Sequence, residues 1–258
     1  MAILTCCGIL QEEGKVSKLA ELVYSIPANH HRPRSLRSLL SSADARNEDG
    51  ILIPLNDRVR FANRLATAVL YVHSGQFVHK YIRPENIIVF DASKDDVFPS
   101  GLGLPFLVGF SRSRAVRART ARVGDIALSE CMYQHPDRWG ETAESRFQML
   151  HDVYSLGVVL LEIGIWESFI RWDTKEYVYW KELRVITAHG ALGADFDRHN
   201  VRQVFIEKAQ TMLPSRMGQR YTDVVIECLS SSVKDNEGGP VGLKFIESVV
   251  SQLEKLTV

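Results

Sequence analysis

The chain has 258 residues but only 4 cysteines, Cys6, Cys7, Cys131 and Cys228, and no CxxC pair. That excludes a dense disulfide framework and a cysteine-built zinc ribbon, and it leads us to expect reduced thiols in an intracellular, cytoplasmic setting. Neither sign of charge is in excess, since Lys+Arg and Asp+Glu both number 31. Bulk electrostatics therefore call for neither a nucleic acid nor an anionic membrane as partner. Long apolar runs are lacking too. The longest, 153–165, is interrupted by Ser155 and Glu162 and falls short of the roughly 20 residues a bilayer span takes. The N-terminal Met-Ala-Ile-Leu-Thr-Cys-Cys has no basic n-region and no long apolar h-region of a signal peptide. There is no internal repeat and no low-complexity tract.

What is present is an ordinary globular balance: 45% hydrophobic and 24% charged residues, enough for a sizeable core. Two apolar runs at 3–10 and 19–26, split by Gln-Glu-Glu-Gly-Lys, predict an antiparallel strand pair with a turn near Gly14. The stretch 27–33 is a polar breaker, and Ser35 caps a short helix carrying Leu36, Leu39 and Leu40. Val59, Ala62, Leu65, Ala66, Val69 and Val72 recur at helical spacing, with Asn56 or Asp57 as candidate caps and His73 as a helix-end residue. Short strands are expected at 87–90 and 106–110. The segment 111–140 is expected to be mostly irregular. Residues 153–165 are apolar almost all round, which predicts a helix buried on every side. Two amphipathic helices follow, at 221–229 and 243–256, joined by a linker at 235–240. The order is α+β, dominated by helix.

Four stretches in this order carry a resemblance. ATAVLYVHSGQFVHKYIRPENIIV spans 66–89, with His79 and Asn86 at the spacing of an H-R-D-L-x-x-x-N catalytic loop. HDVYSLGVVLLEI at 151–163 is similar to the buried helix whose leading Asp holds that loop, here Asp152. CMYQHPD at 131–137 places His135, Pro136 and Asp137 where an A-P-E motif falls. ELVYSIP at 21–27 resembles a strand and hinge that hold an adenine ring. Together they resemble a eukaryotic protein kinase, and more narrowly the divergent kinase-like modules of fungal signalling and incompatibility proteins, the latter also through MGQRYTDVVIECL at 217–229.

The resemblance implies a kinase-like fold made mainly of the helical C-lobe. Its expected divisions are a two-stranded N-lobe remnant at 1–26, a hinge at 27–34 and the C-lobe at 35–258. It implies ATP and magnesium as cofactors, with Leu22, Val23, Tyr24, Ser25, Arg83 and Asn86 as nucleotide contacts and Asn86 as a metal ligand. His79, Phe110, Pro136, Asp137 and Asp152 are the structural members of the motifs.

The residues that perform phosphoryl transfer are largely absent. That chemistry needs metal ions on the phosphates, a lysine on the nucleotide and an aspartate to accept a proton. Tyr81 stands at the position of the base, and a phenol with a pKa of about 10 is a poor acceptor at neutral pH. In LVGFSRS, aligning Phe110 with the family's D-F-G motif puts Gly109 at the metal-binding aspartate, so the main oxygen ligand is missing. No G-x-G-x-x-G is present, and Lys15 and Lys18 fall in the turn between the first two strands. Asp91, Asp95 and Asp96 read as a solvated turn. His30 and His31 read as a loop pair. For Asn86 the competing role is a hydrogen bond to the loop backbone, and for Arg83 a salt bridge.

Arg112, Arg114, Arg117, Arg119 and Arg122 meet no acidic residue before Asp125. They are a candidate loop for an anionic partner or for a phosphate on Thr120 or Ser113. The expectation is a catalytically inactive kinase-like protein acting as a binding or signalling scaffold for a protein partner, without membrane or nucleic acid. The alternative is an atypical or truncated ATP-binding kinase that phosphorylates protein Ser or Thr.

Overall fold

Residues 153–165 offer no polar face to water, and a helix of that kind is stable only when other elements cover it. In the computed structural model, which describes residues 3–11, 20–48, 50–91, 98–115, 128–138, 147–173, 176–179, 198–231 and 240–256, this is what happens. The helix runs Met149–Ile165 (α4), and every one of its residues is buried. At roughly 1.5–3 kcal/mol for each large apolar side chain removed from water, α4 is the largest single contributor to the core.

The strands come first. β1 (Cys6–Gln11) and β2 (Ala20–Tyr24) form an antiparallel pair, close to the expected bounds; the turn near Gly14 lies outside the described residues. β3 (His31–Ser35) corrects the reading of 27–33 as a breaker. It pairs with β7 (Ile87–Asp91), which in turn pairs with β8 (Leu104–Leu107), giving a three-stranded antiparallel sheet. Pro33 is tolerated because β3 is an edge strand. The expected strand at 106–110 lies two residues earlier.

Two-residue pairs fix the loops: β4 (Arg46–Asn47) with β5 (Gly50–Ile51), and β6 (Phe77–Val78) with β9 (Arg114–Ala115). β10 (Ile170–Asp173) and β11 (Glu176–Tyr179) make a hairpin after α4.

α1 (Leu36–Leu40) is capped by the Ser35 hydroxyl, which accepts from the Ser38 N–H at 3.2 Å. α2 (Leu55–Ser74) starts before Asn56 and Asp57, with Pro54 at the cap, so neither caps it. Asp57 instead lies in the first turn, where a carboxylate suits the helix dipole, and pairs with Arg60. The region expected to be irregular contains α3 (Leu128–Cys131). α5 (Arg198–Met217), α6 (Gln219–Ser230) and α7 (Pro240–Glu254) complete the chain.

One apolar cluster joins α1, α2, α4, α5, α6 and α7. Backbones approach closely where α4 carries glycine: a β-carbon on Gly157 would lie 2.7 Å from the Cys228 β-carbon. A smaller cluster of Leu4, Phe90 and Phe106, with Tyr24 packed against it, fastens the first hairpin to the three-stranded sheet. The fold is mixed α and β with small sheets. Among the described residues, no helix is long and apolar enough to cross a membrane.

Candidate functional site

The loop after α2 is shaped from below by one carboxylate. Asp152, in the first turn of α4, is fully buried. Its Oδ2 accepts the His79 backbone N–H at 2.7 Å and the His73 Nε2 hydrogen at 3.2 Å. Its Oδ1 accepts the Lys80 N–H at 2.8 Å. Lys80 takes a left-handed φ of 69°, so two successive N–H groups turn toward the same side chain. Asp152 thus holds the loop through the His79 and Lys80 backbone. His73 is more than a helix-end residue: its imidazole is buried and ties α2 to the same carboxylate.

The His79 ring is fixed in one tautomer. Nε2 donates to the Val108 carbonyl at 3.0 Å, and Nδ1 accepts from the Tyr81 N–H at 3.3 Å. Burial lowers its pKa from the ordinary value, which keeps the ring neutral. Phe110 meets it edge-on at 4.7 Å between centroids.

Asn86 closes the loop. Its Nδ2 donates to the Tyr81 carbonyl at 2.7 Å, and its own carbonyl accepts from the Val108 N–H at 2.9 Å. Gly109, with φ of 83°, leaves room for this carboxamide: a β-carbon there would lie 2.7 Å from Asn86 Oδ1. Asn86 therefore makes the backbone hydrogen bond and fills the space where a side chain at 109 would stand. Magnesium prefers octahedral oxygen donors, carboxylates first. No carboxylate stands at 109. Among the described residues, no group of three or more His, Cys, Asp or Glu could hold a metal ion.

Tyr81 is packed between two cations. The guanidinium carbons of Arg83 and Arg112 each lie 4.0 Å from its ring centroid. Its hydroxyl donates to Glu130 Oε1. The same carboxylate pairs with Arg83 Nη1 at 3.4 Å and Arg112 Nη1 at 3.2 Å. Burial, and then the hydrogen bond to Glu130, push the phenol up to about 12 against the opposing pull of the two arginines. It stays protonated and spends its proton on Glu130. Arg83 has the salt-bridge role, and Arg112 joins it. Arg114 contributes backbone pairing to Val78; Arg117, Arg119, Arg122 and Thr120 lie outside the described residues. The Ser113 hydroxyl donates to the His79 carbonyl at 3.2 Å.

The other expected residues sit further out. Leu22 and Val23 are exposed, Tyr24 is half-buried, and Ser25 donates to the Thr5 carbonyl through both N–H and hydroxyl. Pro136 is buried and Asp137 exposed, while His135 packs against His151 and Tyr154 of α4. Asp91 is not a solvated turn: it is fully buried and paired with Arg34. Asp95 and Asp96 lie outside the described residues. His30 lies edge-on to Phe90 and Phe106.

A second cluster was missed from sequence. Arg37 of α1 donates to Glu85 at 3.1 Å, Glu162 at 3.0 Å and Tyr133 at 2.6 Å, and also to Ser168. Glu162 further accepts from the Tyr133 hydroxyl at 2.8 Å and the Phe169 N–H at 2.9 Å. The lone acid within the apolar run of α4 was the available signal, because a buried charge requires a partner. Glu130 carried no such mark.

Neither a scan against protein-family models nor a search of the curated proteins found a match for this chain.

Proposed function

We propose that this chain is a protein-kinase-like domain that does not transfer phosphate and serves as a binding or signalling scaffold for a protein partner. The observation that carries this reading is the state of Tyr81. Its phenol occupies the position expected for the base, stays protonated, and is held by Glu130 between Arg83 and Arg112. A protonated phenol is no base for a substrate hydroxyl. Gly109 supports the same reading, since Asn86 takes the volume a metal-binding side chain would use.

The four free thiols fit a reducing intracellular compartment. Ile9, Leu10 and Ile26, each more than three-fifths exposed on or beside the first hairpin, fit a protein partner.

The test is direct. The purified chain, incubated with radiolabelled ATP and magnesium, is expected to label neither itself nor a generic protein substrate, and Mg-ATP is expected to leave its melting temperature unchanged. Turnover that disappears in Asn86→Ala would overturn the reading and favour an atypical ATP-binding kinase.

A further inference from the structure

Cys6 and Cys7 are adjacent, and both are free and exposed. We propose that they form a reversible oxidation site, where a peroxide converts the two thiols to a disulfide within the dipeptide and a low-molecular-weight thiol restores them. The pair lies on β1 and requires no kinase-like activity.

In a regular strand consecutive side chains point to opposite faces, so adjacent thiols are held apart. β1 is not regular at this point. Cys6 stands opposite Tyr24 and Gly8 opposite Val23, so the register shifts by one residue and Cys7 has no counterpart on β2. Such a bulge sets two residues against one and re-aims a side chain. The alternation that would separate the thiols is broken at the dipeptide that carries them.

Each thiol makes one weak hydrogen bond. Cys6 Sγ donates to the Gly8 carbonyl at 3.5 Å, and Cys7 Sγ to the Thr5 carbonyl at 3.8 Å. Little is lost when both S–H groups are consumed. A β-carbon on Gly8 would meet no atom within 4 Å, so the space beside the pair is open to a small oxidant. Cys131 and Cys228 provide the contrast. Both are buried, and burial pushes the Cys131 thiol up to about 11 and raises that of Cys228 as well.

The reaction consumes one peroxide. One sulfur attacks the O–O bond, an S–O bond forms, and water leaves behind a sulfenic acid. The neighbouring thiol then attacks that sulfur; the S–S bond forms, the S–O bond breaks and a second water departs. Both sulfurs are oxidised and the peroxide is reduced. Consecutive Cα atoms are about 3.8 Å apart, whereas ordinary disulfides span roughly 4.4–6.8 Å. The new bond is therefore strained and easily reduced, which suits a reversible site and not a structural staple. Tyr24, the partner of Cys6 on β2, packs against the cluster that fastens the hairpin to the three-stranded sheet. Oxidation thus falls beside that anchor.

The experiment treats the reduced full chain with hydrogen peroxide at neutral pH, alkylates the remaining thiols, and maps the peptides by mass spectrometry. The peptide holding Cys6 and Cys7 is expected to be unalkylated and lighter by two hydrogens, in a chain that stays monomeric on a non-reducing gel, and glutathione is expected to reverse the change. Cys131 and Cys228 are expected to be recovered as thiols. Cys6→Ser and Cys7→Ser, which each lack the second thiol, should accumulate at least about tenfold more dimedone-reactive sulfenic acid than the unsubstituted chain. Recovery of both thiols unreacted, a sulfinic or sulfonic acid as the main product, or a disulfide between two chains overturns the proposal. Equal dimedone labelling in the variants and the unsubstituted chain overturns it too. The mass change is required of the unsubstituted chain, so the outcome does not hang on either variant folding.

Discussion

The Asn86 carboxamide occupies the place of the side chain that Gly109 lacks: Cγ, Oδ1 and Nδ2 lie 2.6, 2.7 and 2.9 Å from an ideal β-carbon at 109. Asn86 cannot yield without giving up its hydrogen bond to the Tyr81 carbonyl. Gly109→Asp should therefore destabilise the chain by about 2–3 kcal/mol. Roughly 1–2 kcal/mol comes from a left-handed backbone with a β-carbon, and about 1 kcal/mol from the lost hydrogen bond. In an Asn86→Ala background the same substitution should cost about 1 kcal/mol less, because the clash is gone. Urea unfolding of the four members of the cycle measures this. Strict additivity would contradict the packing described.

Asp152 accepts three hydrogen bonds in a site closed to water. Asp152→Ala removes the acceptor from the buried donors at His73 and His79 and from the part-buried Lys80 N–H. The loss should be about 3 kcal/mol or more, since hydrogen bonds to a charged group contribute roughly 1.5–3 kcal/mol each. Hydrogen exchange localises the effect: the Lys80 amide should lose more protection than amides in the middle of α4. Equal loss at both places would mean that the carboxylate has no special hold on the loop.

Glu162 sets a pH dependence. Burial raises its pKa to about 7, and Arg37, the Phe169 N–H and Tyr133 oppose this only in part. A carboxyl whose folded pKa lies above its unfolded value of about 4.5 favours the folded state fully below that value. The contribution is lost as pH rises, and the loss is complete above about 7. Over that window the stability difference between the unsubstituted chain and Glu162→Gln should change by ~3 kcal/mol, falling toward high pH. Every other titratable group is common to both proteins, so the difference isolates Glu162. Urea midpoints at pH 5 and pH 7.5 provide the measurement, and a constant difference would refute the assignment.

Periodicity and long-range pairing were unequally legible in the sequence. α2, α4, α6 and α7 could be read because each repeats an apolar face at helical spacing or has no polar face at all. α5 was overlooked although Val201, Phe205, Ala209, Leu213 and Met217 are all buried and recur every fourth residue. That stripe is narrow, and the helix contains Pro214, a residue type that ordinarily interrupts a helix. β3 was invisible because its His-Arg-Pro-Arg-Ser sequence has no strand character, and its conformation comes from pairing with β7.

In the site, roles carried by neighbours in sequence or by a motif were legible: Asn86 bonding its own loop, and Asp152 holding it. Contacts across long separations were not. Tyr81 meets Glu130 49 residues away, and Arg37 meets Glu162 125 residues away. Only the folded chain brings such residues together.

α4, buried at all 17 positions, also supplies the carboxylate that shapes the loop. The loop therefore inherits its rigidity from the core and not from the residues that face outward. Substitutions at the outward-facing residues of the loop can change its chemistry without changing where the backbone stands. Form and chemistry are separable in this molecule: Tyr81 can present a new face from a platform whose placement is decided beneath it.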